Sequence, residues 1–153
     1  MELKSKLIKK TQKGELYKIY NLDDTKIYFK LTNVKLLYDI QKYNNVYYLK
    51  WDISNSIDKD DIQILEKTIK KHFNADTLYS CVKNKYAGAI ELTSKLQISK
   101  DYFDIIGNIE TLENYLIVKD YYDIILYPYN VYIENSIIRY TLHFKKIYNK
   151  NLL

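Results

Sequence analysis

Residues 26–53 read KIYFKLTNVKLLYDIQKYNNVYYLKWDI. Apolar and polar side chains alternate through much of this stretch, which is the period of a β-strand with one buried face. Near its start Tyr28 and Lys30 share one face, opposite isoleucine, phenylalanine and leucine. Near its end Tyr48 and Lys50 share a face, opposite leucine and tryptophan. The stretch therefore predicts antiparallel strands that expose tyrosine beside lysine.

One segment after this stretch has the period of a helix instead. Apolar residues recur at spacings of three and four over 59–73, which predicts an amphipathic helix. We expect Asp58 to be its N-cap and Asn74 to be the left-handed residue that terminates it. A hairpin turn is expected at 42–45, because asparagine tolerates the positive φ that such turns require.

Strand patterns cover most of the remaining chain. They are predicted over 15–21, 26–32, 34–41, 46–53, 77–83, 86–93, 95–98, 101–106, 121–127, 131–133 and 137–147. Residues 1–13 are lysine-rich and are expected to be a frayed lead-in or an edge strand. Pro128 is expected to break the sheet ladder, the last hairpin to turn at Glu134-Asn135, and Asn108 to cap a short helix over 109–116.

These patterns favour a mainly β fold with one or two helices, in the form of a small antiparallel barrel of the oligonucleotide-binding (OB) type with an inserted helix. The alternative is an α+β sandwich with a helix on one sheet face. The chain has only three glycines and one proline, without a linker or a repeat. We therefore expect residues 1–153 to form a single domain.

The composition favours an anionic partner and a reducing compartment. Lysine and arginine number 24 against 19 acidic residues, which leaves a net charge of +5. The single cysteine, Cys81, rules out an internal disulfide and is expected to be a structural hydrophobe. No apolar run is long enough to cross a membrane, so a soluble intracellular protein with no membrane partner is expected.

Residues suited to catalysis are few. Of the two histidines, His72 lies in the last turn of the predicted helix, and His143 lies on the outward face of the last strand. One cysteine cannot supply the spacing of a cysteine–histidine metal site, and Gly88 stands alone rather than in a phosphate-binding loop. We expect no enzymatic activity, no cofactor and no metal ion.

Binding features are better supplied. Tyrosine rings stack on unpaired bases at about 1–3 kcal/mol each, and lysines neutralise phosphates. Genomic base composition is a competing explanation for the abundance of lysine, asparagine, isoleucine and tyrosine, but not for their placement on one face. The candidate nucleic-acid-binding residues are Tyr28, Lys30, Lys35, Tyr48, Lys50, Tyr132, Arg139, His143 and Lys145. The first five share one sheet face if the strands of 26–53 pair as a meander.

Three blocks carry a resemblance to a known family. They are residues 26–53, LYSCVKNKYAGAIELTSKL (78–96) and ILYPYNVYIENSIIRYTLHFKKI (125–147). Read in order with the intervening helix, the chain resembles the OB-fold single-stranded DNA-binding proteins of large nucleocytoplasmic DNA viruses. The family's middle strands are usually more widely spaced, and its final hairpin holds more glycine and tryptophan. The resemblance implies DNA binding, in the host cytoplasm or a virus factory.

The leading hypothesis is non-enzymatic binding of single-stranded nucleic acid, DNA first, through a face of lysine and tyrosine. The alternative is a viral structural or assembly protein that uses tyrosine-rich strands as an interface, with itself as a homo-oligomer or with a viral protein partner. Because lysine is depleted at interface cores, the mixture favours nucleic acid. A third reading is an accessory subunit of a replication or transcription machine.

Overall fold

The computed structural model describes residues 1–98, 102–107 and 111–149, and these are mainly β-strand, as predicted. The strands are Leu3–Lys10 (β1), Glu15–Asn21 (β2), Phe29–Leu36 (β3), Gln41–Tyr43 (β4), Val46–Asp52 (β5), Thr77–Tyr79 (β6), Val82–Asn84 (β7), Ile90–Gln97 (β8), Tyr121–Glu134 (β9) and Ile137–Asn149 (β10). The helices are Asp60–His72 (α1), Tyr102–Ile106 (α2) and Leu112–Tyr115 (α3), with a 3-10 turn at Tyr86–Gly88.

Five of the strands pair in a ring. β9 pairs with β3, β3 with β5, β5 with β8, β8 with β10, and β10 with β9 again. Four of these pairings are antiparallel. The pairing of β8 with β10 is parallel and has His143 opposite Lys95. Outside the ring, β2 lies beside β9 with β1 at its far edge, β6 lies beside β10, and β4 and β7 pair with β5 and β8.

The core centres on Trp51 of β5. The indole is fully buried, and its ring centroid lies 5.7 Å from that of Tyr122 and 5.9 Å from that of Phe144. Its Nε1 donates a 2.9 Å hydrogen bond to Ser94 Oγ, and that hydroxyl donates to the Leu49 carbonyl at 3.0 Å. The buried polar groups are thus satisfied inside an apolar centre.

Helix α1 forms where the periodicity predicts it. Its buried residues are Ile62, Leu65 and Ile69. The predicted N-cap is wrong, because Lys59 occupies that position and the Asp58 carboxylate instead accepts a 3.0 Å hydrogen bond from the Thr32 hydroxyl. The predicted terminator is confirmed.

Asn74 has a φ of 49° and so takes the left-handed conformation at the end of α1. Its N–H donates to the Lys71 carbonyl, and the Ala75 N–H donates to the Lys70 carbonyl. These two bonds form a Schellman motif, which satisfies carbonyls that the helix end would otherwise leave open.

The strand boundaries in 26–41 differ from the prediction. Instead of two strands over 26–32 and 34–41, one strand, β3, runs through a bulge at Asn33, which has a φ of 58°. The Asp123 carboxylate accepts the Asn33 N–H at 2.9 Å. This long-range bond stabilises a left-handed residue inside a strand, and no local pattern reveals it.

The predicted strand over 101–106 is wrong, because the described residues 102–106 form helix α2. Ile105 and Ile106 are both buried. Neighbouring residues of a strand point to opposite faces. Burial of both Ile105 and Ile106 would therefore require a strand covered on both faces, which an exposed edge strand is not. Of the predicted helix over 109–116, the described part contains α3, while Asn108 lies outside the described residues.

Pro128 does not break the ladder as expected. β9 is continuous from Tyr121 to Glu134, and Pro128 lies opposite Leu142 at a bulge that gives β9 one extra residue. Proline is tolerated at a bulge because the ladder does not need its missing N–H there. The following hairpin turns at Asn135-Ser136, both with positive φ, one residue later than predicted.

Three further boundaries differ. The predicted strand 77–83 is two short strands, β6 and β7, and the predicted strand 86–93 begins only at Ile90, after the 3-10 turn. β8 then continues through most of 95–98. The lead-in 1–13 contains an edge strand, β1. In the part of the chain that the structure describes, no helix has the length and apolar character needed to cross a membrane.

Candidate nucleic-acid interface

An open groove of about 690 Å³ runs along the solvent-facing side of β8 and β10. The short strands β6 and β7 and the bulged part of β9 form its sides. Polar and aromatic side chains make up most of its lining. They include Tyr79, Lys83, Thr93, Lys95, Tyr129, Tyr132, Arg139, Thr141 and His143.

The groove is basic. Lys83, Lys95 and Arg139 line it, and no aspartate or glutamate does so among the described residues. The Arg139 guanidinium lies 4.9 Å from the centroid of the Tyr79 ring and 3.9 Å from the carboxylate of Glu134, at the end of β9. Since this ion pair is long and solvent-exposed, it neutralises Arg139 only weakly.

Stacked rings form the side of the groove next to β9. The rings of Tyr129 and His143 lie 4.3 Å apart and only 22° from parallel. Tyr127 adds a third ring, with its centroid 6.1 Å from that of His143. Burial, and then the nearby Tyr129 and Tyr28 hydroxyls, raise the pKa of Tyr127, so its phenol stays neutral at physiological pH.

Two of these rings, those of His143 and Tyr127, belong to a row of residues that crosses four strands in register. Tyr48 on β5 lies opposite Lys95 on β8, Lys95 opposite His143 on β10, and His143 opposite Tyr127 on β9. The Lys95 ammonium lies 5.2 Å from the centre of the Tyr48 ring. At the other end, the Tyr28 ring meets that of Tyr127 edge-on at 5.8 Å.

The structure divides the predicted residues of the first stretch into two groups. Tyr28 and Lys30 lie where β3 runs beside β9, whereas Tyr48 and Lys50 lie on β5. β3 and β5 pair only near their ends, with Lys35 opposite Asp52. Tyr28 and Tyr48 are therefore connected through β8, β10 and β9 rather than directly.

Lys145 and Lys30 extend the group around Tyr28. The Lys145 ammonium lies 5.8 Å from the centroid of the Tyr28 ring, and that of Lys30 lies 5.9 Å from the centroid of Tyr148. Each geometry suits a cation–π contact, worth about 0.5–1 kcal/mol at exposed sites. The tyrosine–lysine neighbourhood that the alternation predicts is thus present here.

Lys50 has a different environment. Its ammonium lies 3.6 Å from the carboxylate of Glu91, whose side chain is only 5% exposed, and Lys85 lies 3.9 Å from the same carboxylate. A buried carboxylate requires a cation. Lys50 therefore forms an ion pair with Glu91. No local sequence pattern indicates this pairing of residues on neighbouring strands.

Tyr132 packs against β2. A Cβ atom on Gly14 would lie 2.7 Å from the Tyr132 hydroxyl and 2.4 Å from the Ile133 carbonyl oxygen, so residue 14 has room only for hydrogen. The phenol of Tyr132 is held by this contact on one side and lines the groove on the other.

Several groove residues were not among the predicted ones. Lys95 carries a usable signal, because it alternates with the buried Ser94 and Leu96 within β8. Tyr127 and Tyr129 flank Pro128. Because the strand was expected to break at Pro128, the sequence did not predict that these two rings lie on one face. Lys83 and Tyr79 reach the groove only through the pairing of their short strands with β8 and β10.

The thiol of Cys81, which is half-buried and lines the groove, is chemically quiet. Burial raises the pKa of Cys81 to about 12, and its Sγ lies 3.6 Å from the Tyr140 carbonyl oxygen. A thiol of this pKa is a poor nucleophile at neutral pH. Within the described ranges, no group of three or more histidine, cysteine, aspartate or glutamate side chains is placed to hold a metal ion.

Comparison with known proteins gives no indication of function, so the proposed function depends on the geometry of the groove. No protein-family model matches the chain, and no curated protein matches it either.

Proposed function

We propose that this protein binds single-stranded nucleic acid, DNA in the first place, without catalysing a reaction. The observation that carries the proposal is the groove on β8 and β10. Its lining includes three cations and several aromatic rings, and no carboxylate among the described residues. A single strand offers both phosphates and unstacked bases, so it matches a surface that combines cations with rings.

The strand order supports a more specific fold. β3, β5 and β8 are neighbours in chain order, and β9 returns to lie beside β3, which is the order of a Greek key. β10 then pairs with both β9 and β8. We infer a five-stranded, partly open barrel of the OB type, as the resemblance to the viral single-stranded DNA-binding proteins implies.

Under this fold assignment the groove overlaps, along β8, the face on which OB folds bind their ligands. Their oligonucleotide-binding face lies on the second and third strands. In this chain β5 and β8 hold those positions, and Tyr48 and Lys95 point outward from them. The turn between β9 and β10, at Asn135-Ser136, corresponds to the connection of the fourth and fifth strands.

In the proposed mechanism Lys83, Lys95 and Arg139 attract the phosphates and displace their counterions. The rings of Tyr129 and His143 then stack with bases, at about 1–3 kcal/mol for each base. Because neither contact reads the hydrogen-bonding edge of a base, affinity depends little on sequence. It falls steeply with salt, because bound counterions are released.

Fluorescence anisotropy of a labelled 30-nucleotide oligothymidylate tests the proposal. We expect saturable binding at low salt that weakens at moderate salt and exceeds binding to a duplex of equal length. An absence of binding at low salt contradicts the proposal. If sedimentation then shows a salt-resistant oligomer, a structural or assembly role replaces it.

A charge reversal tests the assignment of the groove. Lys83 is exposed, lines the groove and forms no ion pair in the described part of the chain. Lys83→Glu should weaken binding to the 30-mer by about tenfold and lower the slope of log affinity against log salt by about 0.7, the loss of one phosphate contact to a single strand.

Lys67→Glu is the matched control. Lys67 is exposed on α1 and does not line the groove, and the substitution changes the net charge by the same amount. If Lys83→Glu and Lys67→Glu weaken binding equally, overall charge accounts for the binding and the groove does not.

A further inference from the structure

A second concavity opens on the other edge of β9, next to the groove. β2 pairs with β9 through Tyr17 and Val131, and β3 pairs with it from Phe29 and Leu126 onward. Between them, residues 127–130 have no strand partner on this side within the described chain. The bulge at Pro128 lies in this interval, and the result is a notch of about 220 Å³.

The notch has the same chemistry as the groove. Its two cations are Lys18 on β2 and Lys26 before β3, and its rings are those of Tyr20, Tyr127 and Tyr129. No aspartate or glutamate lines it among the described residues. Both lysines are exposed, and neither is in an ion pair in the part of the chain that the structure describes.

The unpaired state of these two lysines distinguishes them from others nearby. Lys4 lies 3.2 Å from the Asp24 carboxylate, and Lys10 lies 3.8 Å from Glu15. A cation without a carboxylate partner keeps its full attraction for a phosphate, since no ion pair must be broken first.

The notch and the groove lie next to each other. Tyr129 lines both of them, and its ring stacks on His143 in the groove, while Tyr127 carries the ring wall on into the notch. A flexible strand that leaves the groove over His143 and Tyr129 therefore meets Lys18 and Lys26 next.

We propose that the notch is a second subsite, in which Lys18 and Lys26 bind backbone phosphates of the same single strand and Tyr20 and Tyr127 contact its bases. This inference rests on the proposed function and adds the path of the ligand: along β8 and β10, across the bulge of β9, and on to β2. It also makes affinity depend on oligonucleotide length.

The test compares two oligothymidylates, a labelled 6-mer and a labelled 30-mer, at low salt. For the double variant Lys18→Glu/Lys26→Glu we expect about tenfold weaker binding of the 30-mer, with a salt slope lower by about 1.4 for two lost phosphate contacts. Binding of the 6-mer, which the groove alone accommodates, should change less than threefold.

The control is Lys67→Glu/Lys70→Glu, two exposed lysines of α1 whose reversal changes the net charge equally. If the two double variants weaken binding of the 30-mer equally, the notch is not a subsite. The same conclusion follows if Lys18→Glu/Lys26→Glu weakens binding of the 6-mer and the 30-mer equally. If the wild-type protein binds neither oligonucleotide, the proposed function fails first and the notch fails with it.

Photo-crosslinking gives a second readout that needs no charge reversal. With 5-iodouracil oligonucleotides and the wild-type protein, Tyr20 should crosslink to the 30-mer and not to the 6-mer. Tyr129 should crosslink to both, because it lines both concavities. A Tyr129 crosslink without any at Tyr20 on the 30-mer places the strand in the groove alone and overturns the notch.

Discussion

Individual lysines in this protein have different tasks, although they look alike in sequence. Lys83, Lys18 and Lys26 are exposed and have no carboxylate partner within the described residues. Lys50, by contrast, lies 3.6 Å from the buried Glu91 carboxylate. The alternation of side chains places Lys50 on the outward face, but only the neighbouring strand determines whether a phosphate or a carboxylate is its partner.

Replacing Lys50 with alanine should lower stability. Among the described residues, the Glu91 carboxylate would keep Lys85, at 3.9 Å, as its one cationic neighbour. Because Lys50 is 37% exposed, solvent screens part of the loss, and we expect about 1–2 kcal/mol rather than the cost of breaking a fully buried pair. Urea denaturation followed by tryptophan fluorescence measures this change through Trp51.

Lys95→Ala is the control for Lys50→Ala. Lys95 lies on the adjacent strand with no ion pair in the described part of the chain, so its removal loses only the cation–π contact with Tyr48 and should cost about 0.5 kcal/mol. Equal destabilisation by the two substitutions would show that the Glu91 pair contributes nothing particular.

At the scale of elements, side-chain hydrogen bonds connect the helices to the sheet. Glu66 of α1 accepts hydrogen bonds from the hydroxyls of Ser80 at 2.6 Å and Tyr140 at 2.5 Å. Glu113 of α3 accepts one from the Tyr47 hydroxyl on β5. The Tyr140 and Tyr47 bonds each join a helix to a strand distant in sequence, and the Ser80 bond joins α1 to the connection between β6 and β7. All three contribute to holding the helices in place.

The bond from Tyr47 makes stability depend on pH. It lowers the pKa of Glu113 below the ordinary 4.5, with Lys42 adding to the effect and burial opposing it. A lowered folded-state pKa means that this contribution is fully present above about pH 4.5 and is lost as pH falls through the folded-state value. The wild-type Tm should therefore decrease as the pH is lowered below about 4.5.

Tyr47→Phe tests this dependence. We expect a lower Tm than wild type at pH 7, with the two values converging as the pH falls below 4.5, because protonated Glu113 no longer gains from the tyrosine. Tyr43→Phe, at a largely exposed tyrosine, should leave the profile unchanged. A constant offset between Tyr47→Phe and wild type at every pH would contradict the assignment to Glu113.

For the whole molecule, the pairing of β8 with β10 is one of the two short junctions of the ring, the other being that of β3 with β5. The described register there is the single pair of His143 and Lys95, whereas β8 pairs with β5 along its full length. Few ladder bonds across one junction allow local opening at low free energy. This junction also runs along the floor of the groove.

Hydrogen exchange can locate this opening. Amides of β8 that face β10 should exchange faster than those that face β5, and a saturating single-stranded 30-mer should slow the exchange of the first set. Equal protection on both sides of β8 without ligand would contradict a weak junction. The amides of β9 that pair with β10 provide the well-protected reference.

Sequence reasoning did best where burial alternates locally. The bounds of β2 and β5, the extent of α1 and the left-handed Asn74 follow from side-chain period and from the φ that asparagine tolerates. It failed at the bulge of Asn33 and at Pro128. At both positions, partners far along the chain determine the backbone.

Local sequence patterns specify a mainly β chain with one long amphipathic helix, a positive charge, and outward-facing tyrosine beside lysine. These properties depend on residues close together in the chain, because hydrophobic period and turn chemistry act over a few residues. The folded structure establishes which strands are neighbours. It thereby joined Tyr48, Lys95, His143 and Tyr127 in one row, assigned Lys50 to Glu91, and opened the groove and the notch, since strand pairing is set by burial across the whole sheet.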